Sequence, residues 1–160
     1  MKRRIYFLLL APFVAHSSCS KSPAPASAAA PVAKHEHKAP HDGTPVVLGH
    51  EAYHVELVRD AAAGKLTAYV LDGEMEEFIR TKAATFEVVA TVGGAKQTLT
   101  FRAVANAATG ETVGNSSQFE AQADWLKTTA TFDATLTALE IKGTTFAAVA
   151  FNFPKGNDKD

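Results

Sequence analysis

From Pro45 onward, short apolar-rich runs alternate with turn signals, and this pattern constrains the fold more than any other feature. The runs are rich in Val, Thr and Phe, which favour β-strands. Gly93-Gly94 and Lys142-Gly143 each separate two such runs, as tight turns do in β-hairpins. The pattern therefore predicts an all-β domain over residues 44–154. We expect an antiparallel two-sheet sandwich of the immunoglobulin-like type.

One stretch inside this domain lacks the pattern that is typical of a strand. Residues 118–127 contain Phe119 and then Trp125-Leu126, which suit a short helix or a loop that crosses the end of the sandwich. The predicted strands cover residues 46–48, 53–58, 66–71, 86–92, 97–104, 136–141 and 145–153.

The N-terminus carries the features of a secretory signal peptide over residues 1–18. A basic start, Lys2-Arg3-Arg4, precedes an apolar run that ends at Ala15 and is too short to span a bilayer. Ser17-Ser18-Cys19 resembles the lipobox of bacterial lipoproteins, which implies lipidation of Cys19 and a membrane anchor there. The alternative is ordinary cleavage just before Ser18, which leaves a free thiol. Ser20 then implies, by the same resemblance, a periplasm-facing lipoprotein of the outer membrane in the bacterial envelope.

A segment rich in Pro and Ala joins this anchor to the domain. Residues 19–43 have too few apolar side chains to offset the entropy of ordering, so we expect a disordered linker, and residues 155–160 should form a disordered tail. Within the linker, His35-Glu36-His37 and His41 stand out among the Pro and Ala residues.

Charge and cysteine content exclude several classes of function. The net charge of −1 argues against a nucleic-acid partner, because such proteins carry a basic surface. A single Cys excludes a disulfide framework and any Cys-rich zinc or iron–sulfur site. The sequence also contains neither a G-x-S-x-G motif nor a Gly-rich phosphate loop, so we do not expect an enzyme.

The segment from His50 to His54 matches H-E-x-x-H, the signature of zinc metallopeptidases. That chemistry needs a helix, which places both imidazoles on one side and leaves the Glu to activate water. Tyr53, Val55 and Leu57 alternate with polar residues, however, and this period of two favours a strand. A metallopeptidase is therefore only a remote alternative.

If residues 53–58 form a strand, His54 and Glu56 lie on one face, about 7 Å apart along the backbone. Together with a second imidazole from His41 or His50, they would make a site for zinc, copper(II) or cobalt. His35 and His37 could fold back onto this site or capture metal separately. The alternative is that His54 and Glu56 form the solvated polar face of an edge strand.

Residues 40–73 resemble a known module. Pro40-His41-Asp42-Gly43, then Tyr53-His54-Val55-Glu56-Leu57-Val58 and Tyr69-Val70-Leu71-Asp72-Gly73, are similar to a pattern that starts PHGG and continues YHxELV…YVLDG. This module occurs in small bacterial envelope proteins and beside the periplasmic adaptor subunits of heavy-metal efflux systems. Asp42 stands in place of the first Gly. The resemblance implies a periplasm-facing β module in a metal-handling setting.

Two hypotheses on function follow. In the first, the protein is an envelope lipoprotein that binds a divalent transition metal, as a buffer or as a presenter to a periplasmic efflux adaptor. All six histidines lie at or before His54, which concentrates imidazole ligands in the first third of the chain. In the second, it is a non-catalytic structural or interaction module that pairs with another envelope protein and needs no metal.

Overall fold

The computed structural model describes residues 38–158, which form an all-β unit. Cys19, His35, His37, the predicted signal peptide and most of the predicted linker lie outside the described residues. Eight strands follow in chain order: β1 Thr44–Leu48, β2 Tyr53–Asp60, β3 Lys65–Asp72, β4 Thr85–Val92, β5 Ala95–Ala103, β6 Gln118–Gln122, β7 Phe132–Ile141 and β8 Thr144–Phe153. Within these residues the one helical element is a 3-10 turn at Asp124–Lys127, and no helix is long and apolar enough to cross a membrane.

All eight strands belong to one sheet, in the order β1-β2-β3-β6-β5-β4-β7-β8, and every neighbouring pair is antiparallel. The predicted all-β antiparallel class is confirmed, but the division into two sheets of an immunoglobulin-like sandwich is not. The reason is β6, which lies in the stretch predicted as a helix or loop. It pairs with β3 over five residues and with β5 at Arg102 and Ala103, so it joins the two halves into one ladder.

The core lies on the concave side of this sheet and is rich in aromatic rings. Phe86 stacks on Phe101 with ring centroids 4.7 Å apart, and Phe119 meets Phe86 edge-on at 5.1 Å. Phe119 comes from β6, so the bridging strand is held by the core as well as by its backbone. Burial of large aromatic side chains supplies the main driving force for a domain of this size.

The two edge strands, β1 and β8, approach each other, so that the sheet is nearly closed into a barrel-like shape. Asn157, beyond the end of β8, accepts a hydrogen bond from the Val47 amide at 2.7 Å and donates one to the Val47 carbonyl at 3.1 Å. The Thr44 hydroxyl also donates to the Pro154 carbonyl. Asn157 therefore hydrogen-bonds to the backbone of β1, which is an edge strand of the sheet.

Candidate functional site

The extended conformation predicted for residues 53–58 is confirmed, because they lie in β2. His50 lies in the preceding turn, so His50 and His54 do not share a helical face as the metallopeptidase geometry requires. His54 and Glu56 alternate with Val55 and Leu57, which belong to the core. The interpretation as a solvated edge strand is wrong: β2 is paired on both sides, and the exposed fractions of His54 and Glu56 are only 1% and 0%.

The Glu56 carboxylate is buried because the chain just before β1 folds over it. One carboxylate oxygen, Oε1, accepts hydrogen bonds from the His41 amide at 2.8 Å and from the Gly43 amide at 2.9 Å. The other, Oε2, lies 2.8 Å from Nδ1 of the His41 ring. A buried carboxylate needs such partners, since burying an unpaired charge is costly. Three groups of one short segment, residues 41–43, provide them.

Gly43 allows this close approach. A Cβ at this position would lie 2.7 Å from the Glu56 Cγ and 2.8 Å from the Leu57 carbonyl oxygen, which no side chain tolerates without movement. Asp42, the residue before it, has a positive φ of 53°, a conformation that few residues adopt other than Gly, Asn and Asp. The sequence Asp42-Gly43 thus suits the sharp path that brings the His41 ring over β2.

The His41 ring also packs against aromatic side chains. It stacks on Tyr69 with centroids 3.9 Å apart and planes 12° apart, and Phe78 meets both rings at 5.8 to 6.0 Å. Tyr69 is the β3 residue directly opposite Glu56 in the ladder, which explains why the ring can reach both. Burial raises the pKa of the Tyr69 hydroxyl, and the carboxylates of Glu56 and Glu120 raise it further.

The predicted metal ligands are only partly brought together. His41 and Glu56 are in contact, whereas Nδ1 of the buried His54 lies 3.2 Å from the Asp72 carbonyl oxygen and His50 lies on an exposed turn. Among residues 38–158, no group of three or more His, Cys, Asp and Glu side chains is arranged to hold a metal ion. The contact between His41 and Glu56 is therefore the part of the predicted site that the described residues contain.

A cleft of about 340 Å³ opens beside the ring stack, and sequence reasoning did not identify it. Arg80 and Glu111 also line it. Two features of the sequence could have pointed to it: Phe78 directly follows Glu76-Glu77, and Arg80 comes two residues later. We name this space, lined by His41, Tyr69, Phe78, Arg80, Asn106, Thr109, Glu111, Ser117 and Gln118, the Phe78 cleft.

Glu111 is a buried carboxylate in the wall of the Phe78 cleft. Its Oε1 accepts hydrogen bonds from the Ser117 amide and hydroxyl at 2.8 and 2.6 Å, and its Oε2 accepts one from the Thr109 hydroxyl at 2.7 Å. Burial by itself raises the pKa of Glu111. The hydrogen bonds from Ser117 and Thr109 and the positive charge of Arg80 outweigh this effect, so the pKa lies below its ordinary value.

Comparison with known proteins adds no relative to this description: no protein-family model, no curated protein and no solved structure matches the chain. Function must therefore be argued from the site itself.

Proposed function

We propose that the protein is a lipoprotein of the bacterial envelope, anchored at Cys19, that binds a divalent transition metal such as Zn²⁺ or Cu²⁺. In this proposal His41 is the ligand that the β domain fixes in place. The observation that carries it is the 2.8 Å contact between Nδ1 of His41 and the buried carboxylate of Glu56.

A histidine that binds a metal commonly donates its other ring N–H to a carboxylate, which sets the tautomer and orients the ring. In this proposal the Glu56 carboxylate accepts the hydrogen bond and Nδ1 of His41 carries the hydrogen, because an ionised carboxylate has no hydrogen to donate. Nε2 of the neutral ring then keeps the lone pair that a metal needs. The side chain of His41 is 37% exposed, and within residues 38–158 no other hydrogen bond engages its ring.

The other ligands would come from the segment just before the described residues. His37 and His35 lie four and six residues before His41, and four residues of extended chain span up to about 14 Å. Both imidazoles can therefore reach a metal at Nε2 of His41. Glu56 supports His41 in this arrangement rather than contacting the metal, and His54 and His50 are not required.

The resemblance to the PHGG/YHxELV module supports this setting. Three of the residues that match the module, His41, Gly43 and Glu56, are in contact in the structure. Asp42 replaces a Gly of the pattern at a position with positive φ, where Gly is the usual residue. We propose a periplasmic efflux adaptor as the partner that would receive the metal.

Isothermal titration of the chain from residue 20 onward with Zn²⁺ and Cu²⁺ tests the proposal. We expect His41→Ala to weaken binding at least about tenfold and Glu56→Gln to weaken it about 10- to 100-fold, as losses of supporting carboxylates do. His50→Ala is the matched control, because this imidazole lies on an exposed turn, and it should leave the affinity unchanged.

Two outcomes would overturn the metal proposal: binding weaker than tens of micromolar, or equal affinity of the wild type and His41→Ala. If the metal is bound through His35 and His37 alone, the double replacement of these residues by Ala abolishes binding while His41→Ala leaves it intact. That result would show that the metal binds to the segment before the β domain and not to the domain itself.

A further inference from the structure

The Phe78 cleft has one aromatic wall. Phe78 is 48% exposed and is one of only two large apolar side chains among residues 38–158 that are exposed to this degree. It leans edge-on against Tyr69, whose ring is stacked on His41. Neighbouring rings hold the exposed Phe78 ring in place, so a flat ligand meets a preformed apolar surface. The Phe78 side chain then loses little conformational entropy when the ligand binds.

The Phe78 cleft is also lined by a guanidinium group. Nη2 of Arg80 donates to the Thr109 carbonyl at 2.5 Å, and Nε lies 3.9 Å from the Glu111 carboxylate. These contacts hold the group in place yet leave most of its five N–H donors without a partner in the described part of the chain.

Glu111 forms an ion pair with Arg80 but, within residues 38–158, accepts no hydrogen bond from its N–H groups. Its two oxygens are occupied by the Ser117 amide and by the hydroxyls of Ser117 and Thr109, so it is positioned to fix the Arg80 side chain rather than to bind a ligand. The lowered pKa of Glu111 keeps it ionised near neutral pH, which favours a stable orientation of the guanidinium. The amide side chains of Asn106 and Gln118 complete a polar wall.

We propose that the Phe78 cleft binds a small aromatic carboxylate. Its ring would lie against Phe78 and Tyr69, and its carboxylate would take the free N–H donors of Arg80. The planar fork of N–H groups on a guanidinium matches the two oxygens of a carboxylate. The volume of about 340 Å³ lies at the small end of the range for ligand sites, which favours a compact molecule with one ring. This proposal does not require metal binding at His41, although the His41 ring also lines the cleft.

Phenylacetate is a suitable probe, added to the full chain in the presence of a chelator so that no metal takes part. We expect saturable binding by isothermal titration, with chemical-shift changes in the NMR spectrum confined to residues that line the cleft. Phenylacetamide has the same shape without the charge, and acetate has the charge without the ring. Each should bind at least about tenfold more weakly, because each lacks one of the two contacts.

Two variants localise the binding. Phe78→Ala and Arg80→Gln should each weaken phenylacetate binding at least about tenfold, and both positions are exposed, so the fold should tolerate the changes. The matched controls are Val113→Ala, at the other exposed apolar side chain, and Arg102→Gln, at an exposed Arg on β5. Neither control should change the affinity.

Several results would overturn the proposal. The first is that no phenylacetate binds at concentrations up to about 10 mM. The second is that acetate binds as tightly as phenylacetate. The third is that neither Phe78→Ala nor Arg80→Gln changes the affinity for phenylacetate. Retained phenylacetate binding in His41→Ala, combined with lost metal binding, would show that the cleft and the proposed metal site are separate functions.

Discussion

Replacement of Glu56 by Ala should destabilise the domain because one buried carboxylate holds the whole turn before β1. Three hydrogen bonds end on it: two from the backbone amides of His41 and Gly43, and one from the His41 ring. Hydrogen bonds to a charged group contribute about 1.5–3 kcal/mol each, and a buried donor left unpaired costs about 1–3 kcal/mol.

The turn lies at the surface, so after the loss of Glu56 it can detach and its amides can bind water. That relaxation caps the penalty, and we expect Glu56→Ala to lower the free energy of unfolding by about 2–4 kcal/mol. For a domain of about 120 residues this corresponds to a fall in melting temperature of roughly 8–16 °C. Glu56→Gln keeps an oxygen for the two amides but loses the charge and the second oxygen that faces Nδ1 of His41, so it should cost about half as much.

Chemical denaturation of Glu56→Ala and Glu56→Gln measures these effects, with Glu140→Ala as the control. Glu140 is exposed on β7, and its replacement should change stability by less than about 0.5 kcal/mol. Native-state hydrogen exchange adds a local readout, since the amides of His41 and Gly43 should lose protection before those of β2. The reasoning is refuted if Glu56→Ala is as stable as the wild type, or if Glu56→Gln is as damaging as Glu56→Ala.

Three further changes test other parts of the same architecture. Gly43→Ala places a Cβ 2.7 Å from the Glu56 Cγ, so it should cost about 1–3 kcal/mol in chemical denaturation; an unchanged midpoint would contradict the close approach. Asn157→Ala removes both hydrogen bonds to Val47 and should cost about 1–2 kcal/mol, while Asn157→Asp, which keeps only the acceptor, should lie between it and the wild type. Because the folded-state pKa of Glu111 is lowered, its contribution to stability is present above its ordinary pKa of 4.5 and is lost as the pH falls through the folded value. Melting temperatures measured between pH 7 and pH 3 should therefore depend less on pH in Glu111→Gln, and an identical acid dependence would contradict this assignment.

The strands were predictable where apolar and polar residues alternate over a long run, or where two apolar-rich runs flank a turn that contains glycine. Both hairpins, at Gly93-Gly94 and Lys142-Gly143, appear as predicted. The short β6 was missed because Trp125 and Leu126 just beyond it suggested a helix, although Gln118–Gln122 itself alternates polar with buried residues. Without β6, the strands fall into two groups, β1–β3 and β4, β5, β7 and β8, and a two-sheet arrangement follows naturally. One missed strand of five residues thus changed the predicted architecture.

The candidate site was predictable in part for a similar reason. Alternation along β2 correctly placed His54 and Glu56 on one face, because side-chain direction in a strand follows from the sequence alone. The burial of Glu56 was not predictable, since it depends on the path of residues 41–43 over this side chain. The contact of Tyr69 with His41 was also not predictable from the neighbouring sequence. It arises because Tyr69 lies opposite Glu56 in the β2–β3 ladder, and only the strand register shows this.

The ring of His41 has a place in both proposals, and this shared role has a thermodynamic consequence. Its Nε2 would bind the metal, while its stack with Tyr69 forms part of the aromatic wall of the Phe78 cleft. A ligand that shifts this ring in one site must change the affinity of the other, and linkage requires the effect to be equal in both directions. The factor by which Zn²⁺ changes the affinity for phenylacetate must therefore equal the factor by which phenylacetate changes the affinity for Zn²⁺. Because Glu56 holds the ring in place, Glu56→Gln should loosen the stack and bring this common factor closer to one.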